Sequence, residues 1–155
     1  MLKRNIILIV ILFAFIVFSG VVFVVVFTSD RDVLRLEEGG SQELTFECKN
    51  MVPGEETQAN YVLKGNLSSE LVISLREGAE TELYEWLEIE IEVDGKTVCE
   101  GKLEECFGQE YKADVKDGSN ITFRYKIGLD VGNEAQGKKG EFSVQLSVGL
   151  QEGQE

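Results

Sequence analysis

Hydrophobic residues follow two different patterns along this chain. Residues 6–27 form one apolar stretch without a charged residue, whereas from residue 28 onward apolar and polar residues mostly alternate. At about 1.5 Å of rise per residue, a helix over 6–27 would extend about 33 Å, close to the roughly 30 Å hydrocarbon thickness of a bilayer. The first pattern therefore predicts one N-terminal transmembrane helix, and the second predicts β-strands.

The charges beside the apolar stretch predict its orientation. Lys3 and Arg4 precede it, so the N-terminus is expected in the cytoplasm and everything after Phe27 outside the cell. The stretch ends in bulky residues rather than a small-x-small cleavage site, which favours an uncleaved signal-anchor. We therefore expect a single-pass cell-membrane protein with an extracellular C-terminal domain; cleavage, with release to the cell surface or matrix, is the alternative.

Strict alternation predicts the fold of the exterior part. Its clearest case is residues 87–94, where apolar residues occupy the odd positions and acidic residues the even ones. Asp94-Gly95 then predicts a two-residue hairpin turn. Seven to nine such strands predict an all-β domain, a jelly-roll or Greek-key β-sandwich. The predicted organisation is an anchor over 1–27, a juxtamembrane segment or first strand over 28–41, and the sandwich over 42–155.

The residue inventory argues against catalysis. The chain has no histidine, which removes His-dependent triads and the usual zinc sites, and it has no nucleotide-binding loop motif. Glu88, Glu90 and Glu92 form an acidic series on one strand face. Such a series is typical of a solvated sheet face, where Arg124 and Lys126 from another strand could pair with it. We therefore predict no enzyme activity and no cofactor.

Charge also limits the partners. All 28 acidic residues lie beyond residue 27, together with 13 of the 15 basic ones, so the exterior part carries a formal charge of −15. Phosphate would be repelled by this surface, which excludes nucleic acid as a partner. The membrane, through residues 6–27, and another protein remain as the expected partners.

Two small groups of residues are candidates for binding or cross-linking. Asp130, Asn133 and Glu134 supply oxygen atoms in one loop, as weak calcium sites do, although ordinary loop polarity is the preferred explanation. Cys99 and Cys106 flank a bend-prone Glu-Gly pair and are a disulfide candidate. The third cysteine, Cys48, is in phase with apolar neighbours and is expected to be a small buried side chain.

Three segments resemble the TasA/camelysin family of bacterial surface and biofilm-matrix proteins. Residues 44–56 lead from a strand into the Pro53-Gly54 turn, and residues 61–67 run through a strand into a Gly-Asn break. Later, Asn133-Glu-Ala-Gln-Gly137 precedes an alternating strand over 142–146. The resemblance implies an exported, jelly-roll-like sandwich. It further implies assembly into fibres, in which an N-terminal strand of one subunit completes the sheet of the next.

The predicted function follows from the edge strands and the resemblance. An open sandwich exposes backbone groups that can pair with another chain. We predict a non-catalytic cell-surface structural or matrix protein that self-associates or docks a partner by strand addition. The donor candidate is Asp32–Leu36, with Val33, Leu34 and Leu36, although an ordinary first strand of the same domain is the slightly preferred interpretation. The alternatives are a membrane-anchored binding or accessory module without self-assembly and a surface protease of the camelysin type.

Overall fold

The computed structural model describes residues 31–149. The predicted transmembrane helix over 6–27 lies outside these residues, and within 31–149 no helix is long and apolar enough to cross a membrane. A short helix, α1, spans Leu103–Cys106, and 3-10 turns span Tyr84–Trp86 and Asn133–Ala135. The strands are β1 Asp32–Arg35, β2 Ser41–Lys49, β3 Glu56–Lys64, β4 Ser68–Thr81, β5 Leu87–Val93, β6 Lys96–Lys102, β7 Glu110–Lys116, β8 Asn120–Ile127 and β9 Lys139–Val148.

The strands form two sheets. The five-stranded sheet has the order β1-β3-β8-β5-β6, and the four-stranded sheet has the order β2-β9-β4-β7. Strands β2 to β9 form four nested antiparallel pairs. The outermost strands in the sequence, β2 and β9, pair with each other, then β3 with β8, β4 with β7 and β5 with β6. Strand β1 is different, since it lies parallel to β3. The prediction of a mostly β domain with two sheets is confirmed.

The alternation of apolar and polar residues in the sequence corresponds to an alternation of buried and partly exposed side chains in the structure. In β5 the four apolar residues at odd positions are buried and the glutamates between them are half-exposed. The β5–β6 turn is the predicted one: Asp94 and Gly95 both have positive φ, of 48° and 77°. The Asp94 carboxylate accepts hydrogen bonds of 2.8 Å from the Ser119 hydroxyl and from the Asn120 backbone N–H. Partial burial raises the pKa of Asp94, but these hydrogen bonds outweigh burial and lower it overall.

Aromatic rings join the two sheets into one core. Phe46 of β2 lies 5.2 Å from Phe123 of β8, measured between ring centroids, and 5.1 Å from Phe142 of β9. Tyr125 of β8 packs edge-on against Phe142 at 5.7 Å. Rings at these distances contribute about 0.5–1.5 kcal/mol per pair beyond the burial of their surface. The two sheets therefore pack face to face as a β-sandwich around one core.

Candidate functional site

The N-terminal strand β1 is seated at one edge of the five-stranded sheet. Its parallel register pairs Val33 with Val62 and Leu34 with Leu63. Neighbouring side chains point to opposite faces of a strand, and here Leu34 is 4% exposed whereas Val33 is 55% exposed. Leu36, just beyond the strand, is 2% exposed. Two leucines therefore anchor β1 in the core of its own domain.

Backbone contacts complete the seat of β1, which is the stretch from Tyr61 to Gly65 on which β1 lies. The Leu36 N–H donates to the Lys64 carbonyl oxygen at 3.1 Å. Gly65 then passes so close that a Cβ added there would lie 1.9 Å from the Leu36 carbonyl oxygen. Just before β1, the Arg31 guanidinium donates to the side-chain oxygen of Asn120 in β8 at 3.0 Å. The seat therefore needs glycine at position 65.

The side of β1 that points away from β3 is an edge of the sheet. Among residues 31–149, β1 is hydrogen-bonded as a strand only to β3 and lies at one end of the sheet order. An edge of this kind presents backbone N–H and C=O groups to any strand that approaches. In this structure the predicted donor residues Val33 and Leu34 lie in the first strand of their own domain, and Leu36 lies just beyond it. Their insertion into another copy stays a prediction.

The predicted acidic series lies on the face of the five-stranded sheet that points away from the core. Arg124 reaches both Glu90 and Glu92, with N–O distances of 3.0 Å to each, and Lys126 lies 3.5 Å from Glu88. The predicted pairing of Arg124 and Lys126 with this series is confirmed. The hydrogen bonds that the Arg124 guanidinium donates to the carboxylates of Glu92 and Glu90 raise the pKa of Arg124. The arrangement is an ion-pair ladder in which each of the three carboxylates has a cationic partner.

A groove of about 410 Å³ lies beside this ladder. In addition to ladder residues, its lining includes Glu56, Glu100, Lys102 and Glu105. Carboxylates outnumber cations in the lining, so the groove would attract a cationic group more readily than an anionic one. The described residues include no histidine, so no imidazole base lines the groove.

The predicted calcium loop follows β8. Asp130 lies in the turn after this strand, and Asn133 and Glu134 begin the second 3-10 turn; all three side chains are exposed. The residue that this turn buries is Ala135, which is 1% exposed. Across residues 31–149, three or more His, Cys, Asp or Glu side chains nowhere come together as a metal site would require. Calcium binding by this loop stays a prediction.

The three cysteines are buried, as expected for Cys48, and two of them meet. The sulfur atoms of Cys99 and Cys106 lie 3.2 Å apart, and each residue is 3% exposed. Burial raises the pKa of Cys48 and of Cys99 to about 12 in each case. Burial, and then interaction with the side chains of Cys99 and Cys106, raise the pKa of Tyr111. Sequence reasoning missed Tyr111, although its alternation with Ala113 and Val115 in β7 was a signal that it faces inward.

Comparisons with known proteins add distant similarities. No protein-family model matches the sequence, and no curated protein matches it. Among solved structures, the chain is similar to PliG, a periplasmic lysozyme inhibitor of g-type lysozyme from Aeromonas hydrophila (7% identity, 76% of this chain and 98% of that chain, TM-score 0.41). It is also similar to a β-glucosidase from Paenibacillus barengoltzii (9%, 78% and 12%, TM-score 0.39). A third similarity is to the pre-peptidase C-terminal domain of a Bacillus anthracis collagenase (14%, 76% and 95%, TM-score 0.36). Similarities this remote carry no information about the activity of this chain. None of the three proteins is a TasA or camelysin protein.

Proposed function

We propose that this protein is a non-catalytic cell-surface protein, anchored by residues 6–27, that associates with further copies of itself by exchanging strand β1. A matrix or fibre role of the TasA/camelysin type is the specific form of this proposal. The nested pairing of β2 to β9 supports a jelly-roll topology for the exterior domain. The observation that carries the proposal is the seat of β1, a four-residue edge strand held by two leucine anchors.

Strand exchange at this seat is nearly neutral in contact energy. If β1 of one copy enters the seat of the next, the same backbone ladder and the same leucine burial are lost once and regained once. The connection from β1 to β2 is a short turn in which Gly40 N–H donates to the Glu37 carbonyl oxygen at 2.8 Å. Gly39 in this turn has a φ of 72°, a conformation that costs glycine little. This turn is the natural hinge for exchange.

A second candidate function is an anchored binding or accessory module that does not self-associate. The observation that favours it is the closed state of the seat, since Leu34 and Leu36 are already buried in their own domain. A partner would then pair with the outer edge of β1 without displacing it. The two candidates differ in one measurable respect: only the first requires β1 to leave its seat.

A reversible lock on β1 separates the two candidates. In the full chain, Val33→Cys with Val62→Cys places two cysteines opposite each other in the parallel register. Parallel strands are about 4.8 Å apart, which a disulfide can bridge. The matched control is Val72→Cys with Lys112→Cys, an opposed pair between β4 and β7. Association is measured by co-purification of two differently tagged copies from the same membranes.

Strand exchange predicts a specific set of results. The wild type and the control should associate under oxidising and reducing conditions. A variant whose disulfide lies within one chain, as shown by its monomeric mobility on a non-reducing denaturing gel, should associate only after that disulfide has been reduced. A variant locked within one chain that still associates would reject exchange of β1, and a wild type that never associates would favour the accessory module.

A further inference from the structure

The two paired cysteines come from elements that belong to different parts of the sandwich. Cys99 lies in β6, the strand at the other edge of the five-stranded sheet, opposite Ile91 of β5. Cys106 ends helix α1, and the next residue, Phe107, forms an isolated bridge with Leu75 of the four-stranded sheet. The ring of Phe107 also lies 5.0 Å from that of Tyr84. The sulfur contact therefore joins an edge strand of one sheet to a segment held on the other sheet.

The distance between the sulfur atoms suits a covalent bond. Two buried thiols 3.2 Å apart need to approach to about 2.05 Å to become a disulfide, a shift of about 1 Å that side-chain rotation can supply. Cys48 is buried elsewhere in the core, and its Cβ lies 3.7 Å from a Cβ built at Gly140 of β9. Of the three cysteines, only Cys99 and Cys106 have their sulfurs in contact within the described part of the chain.

We propose that Cys99 and Cys106 form an intramolecular disulfide when the chain folds outside the cytoplasm, and that Cys48 stays a thiol. The oxidant is a disulfide of the exported compartment, on a small molecule or on an oxidoreductase. One cysteine, as its thiolate, attacks a sulfur of that disulfide and releases one thiol. The second cysteine attacks the resulting mixed disulfide and releases the other thiol. Two cysteine thiols are thereby oxidised, and one external disulfide is reduced to two thiols.

Burial sets the time at which this exchange takes place. The thiolate is the reactive form, and burial raises the pKa of Cys99 far above neutral pH although a hydrogen bond from Tyr111 opposes this shift. An external disulfide also cannot reach residues that are 3% exposed. The bond is therefore expected to form before the domain closes, and the closed domain should then protect it from reductants. This inference depends on export but not on strand exchange.

Peptide mapping tests the pairing directly, because Lys102 lies between the two cysteines. The full chain is taken from the membranes of its host without reductant, with free thiols blocked during unfolding, and digested with trypsin. We expect peptides 97–102 and 103–112 to remain linked until reductant is added. The same peptides found separately and carrying the blocking group would overturn the proposal.

The third cysteine provides the internal control. The tryptic peptide 36–49, which contains Cys48, should be completely blocked when the chain is unfolded during blocking. The same peptide should remain unblocked when the chain is kept folded. A linked peptide that contains Cys48 would contradict the assigned pairing. A copy purified under strong reductant throughout should have all three cysteines blocked, which verifies that the method detects each of them.

Two variants test the predicted effect on stability. Wild type and Cys48→Ala that have been unfolded and refolded in reductant, which reaches the bond in the open chain, should melt several degrees lower than the same proteins never reduced. Cys106→Ala should melt at the same temperature after either treatment, because it has no disulfide to lose. Equal melting temperatures of the wild type after the two treatments would show that no bond joins these residues. Tagged copies of Cys106→Ala should associate as the wild type does, so this result is separate from the outcome for strand exchange.

Discussion

The seat of β1 makes a quantitative prediction, because two adjacent residues of this strand differ almost completely in burial. Leu34 is 4% exposed and Val33 is 55% exposed. Leu34→Ala removes three carbon atoms from the core, which at about 0.8 kcal/mol for each buried methylene is about 2.4 kcal/mol. Measured Leu→Ala costs run from about 2 to 5 kcal/mol, and an edge strand can partly close the space. We expect a loss of about 2–3 kcal/mol for Leu34→Ala and less than about 0.5 kcal/mol for Val33→Ala.

The assay is urea unfolding of the full chain in a mild detergent. Trp86 is the single tryptophan, it is half-buried, and the Lys138 ammonium lies 4.0 Å from the centre of its ring, so its fluorescence should report loss of this environment. With a slope of about 1–3 kcal/mol per molar urea, the midpoint should fall by about 1 M or more for Leu34→Ala and hardly change for Val33→Ala. Equal midpoints for the two variants would refute the seat described above.

The same titration distinguishes a seat within one chain from a seat between chains. If β1 occupies its own domain, the midpoint does not depend on protein concentration. If β1 stabilises a neighbouring copy, mass action raises the midpoint as the concentration increases. Leu34→Ala should then weaken the concentration dependence, whereas Val33→Ala should preserve it. A concentration-independent midpoint, combined with a large cost of Leu34→Ala, would assign β1 to its own domain.

Three further predictions concern residues outside β1. Arg124→Gln should lower the free energy of unfolding in urea by about 1 kcal/mol, because it leaves two carboxylates without their cation. Lys126→Gln breaks an exposed pair and should lower it by less than about 0.5 kcal/mol. Equal costs for the two variants would contradict the ion-pair ladder. Asp94→Asn should destabilise at neutral pH, and its cost should shrink as pH falls below the unfolded pKa of about 3.9, because the stability that the lowered folded-state pKa provides is lost as pH falls through that folded value. A cost that stays constant with pH would contradict this explanation. Gly65→Ala should displace β1 from its seat and lower the melting temperature by several degrees, because its Cβ would collide with the Leu36 carbonyl oxygen. The control Gly132→Ala should leave the melting temperature unchanged, because a Cβ at position 132 has no atom within 4 Å.

Local regularity explains what could be predicted from the sequence. The alternation over 87–94 determines which face of β5 is buried, because successive side chains of a strand point to opposite faces. The Asp94-Gly95 turn follows from the need for positive φ at both of its positions. The pairing of Arg124 with the glutamates of β5 required only that β8 lie beside β5, which opposite charges on two alternating strands already suggested.

Contacts between distant parts of the chain could not be predicted in this way. The parallel pairing of Leu34 with Leu63 depends on the order of strands in the sheet, and neither sequence segment encodes that order. The approach of Gly65 to the Leu36 carbonyl depends on the same pairing. Tyr111 interacts with the side chains of Cys99 and Cys106 only because β7 follows α1 into the other sheet. The composition of each segment was informative, but its partner was decided by the packing of the whole domain.

The two edges of the five-stranded sheet differ in how they are held. At one edge, β1 is held by hydrogen bonds and two leucines, all of which a second copy could replace. At the other edge, β6 carries Cys99, and the proposed disulfide would fix it to the last residue of α1. A covalently fixed edge cannot exchange, so association should proceed through β1 in oxidised and reduced protein alike.

This difference makes the two proposals independently testable. The locked variant with cysteines at 33 and 62 should still give the linked peptides 97–102 and 103–112, because the lock lies at the opposite edge from Cys99. If blocking association instead prevented the 99–106 bond, or if Cys106→Ala abolished association, the two edges would be coupled through the core. The independence of covalent fixation at β6 and exchange at β1 would then be rejected.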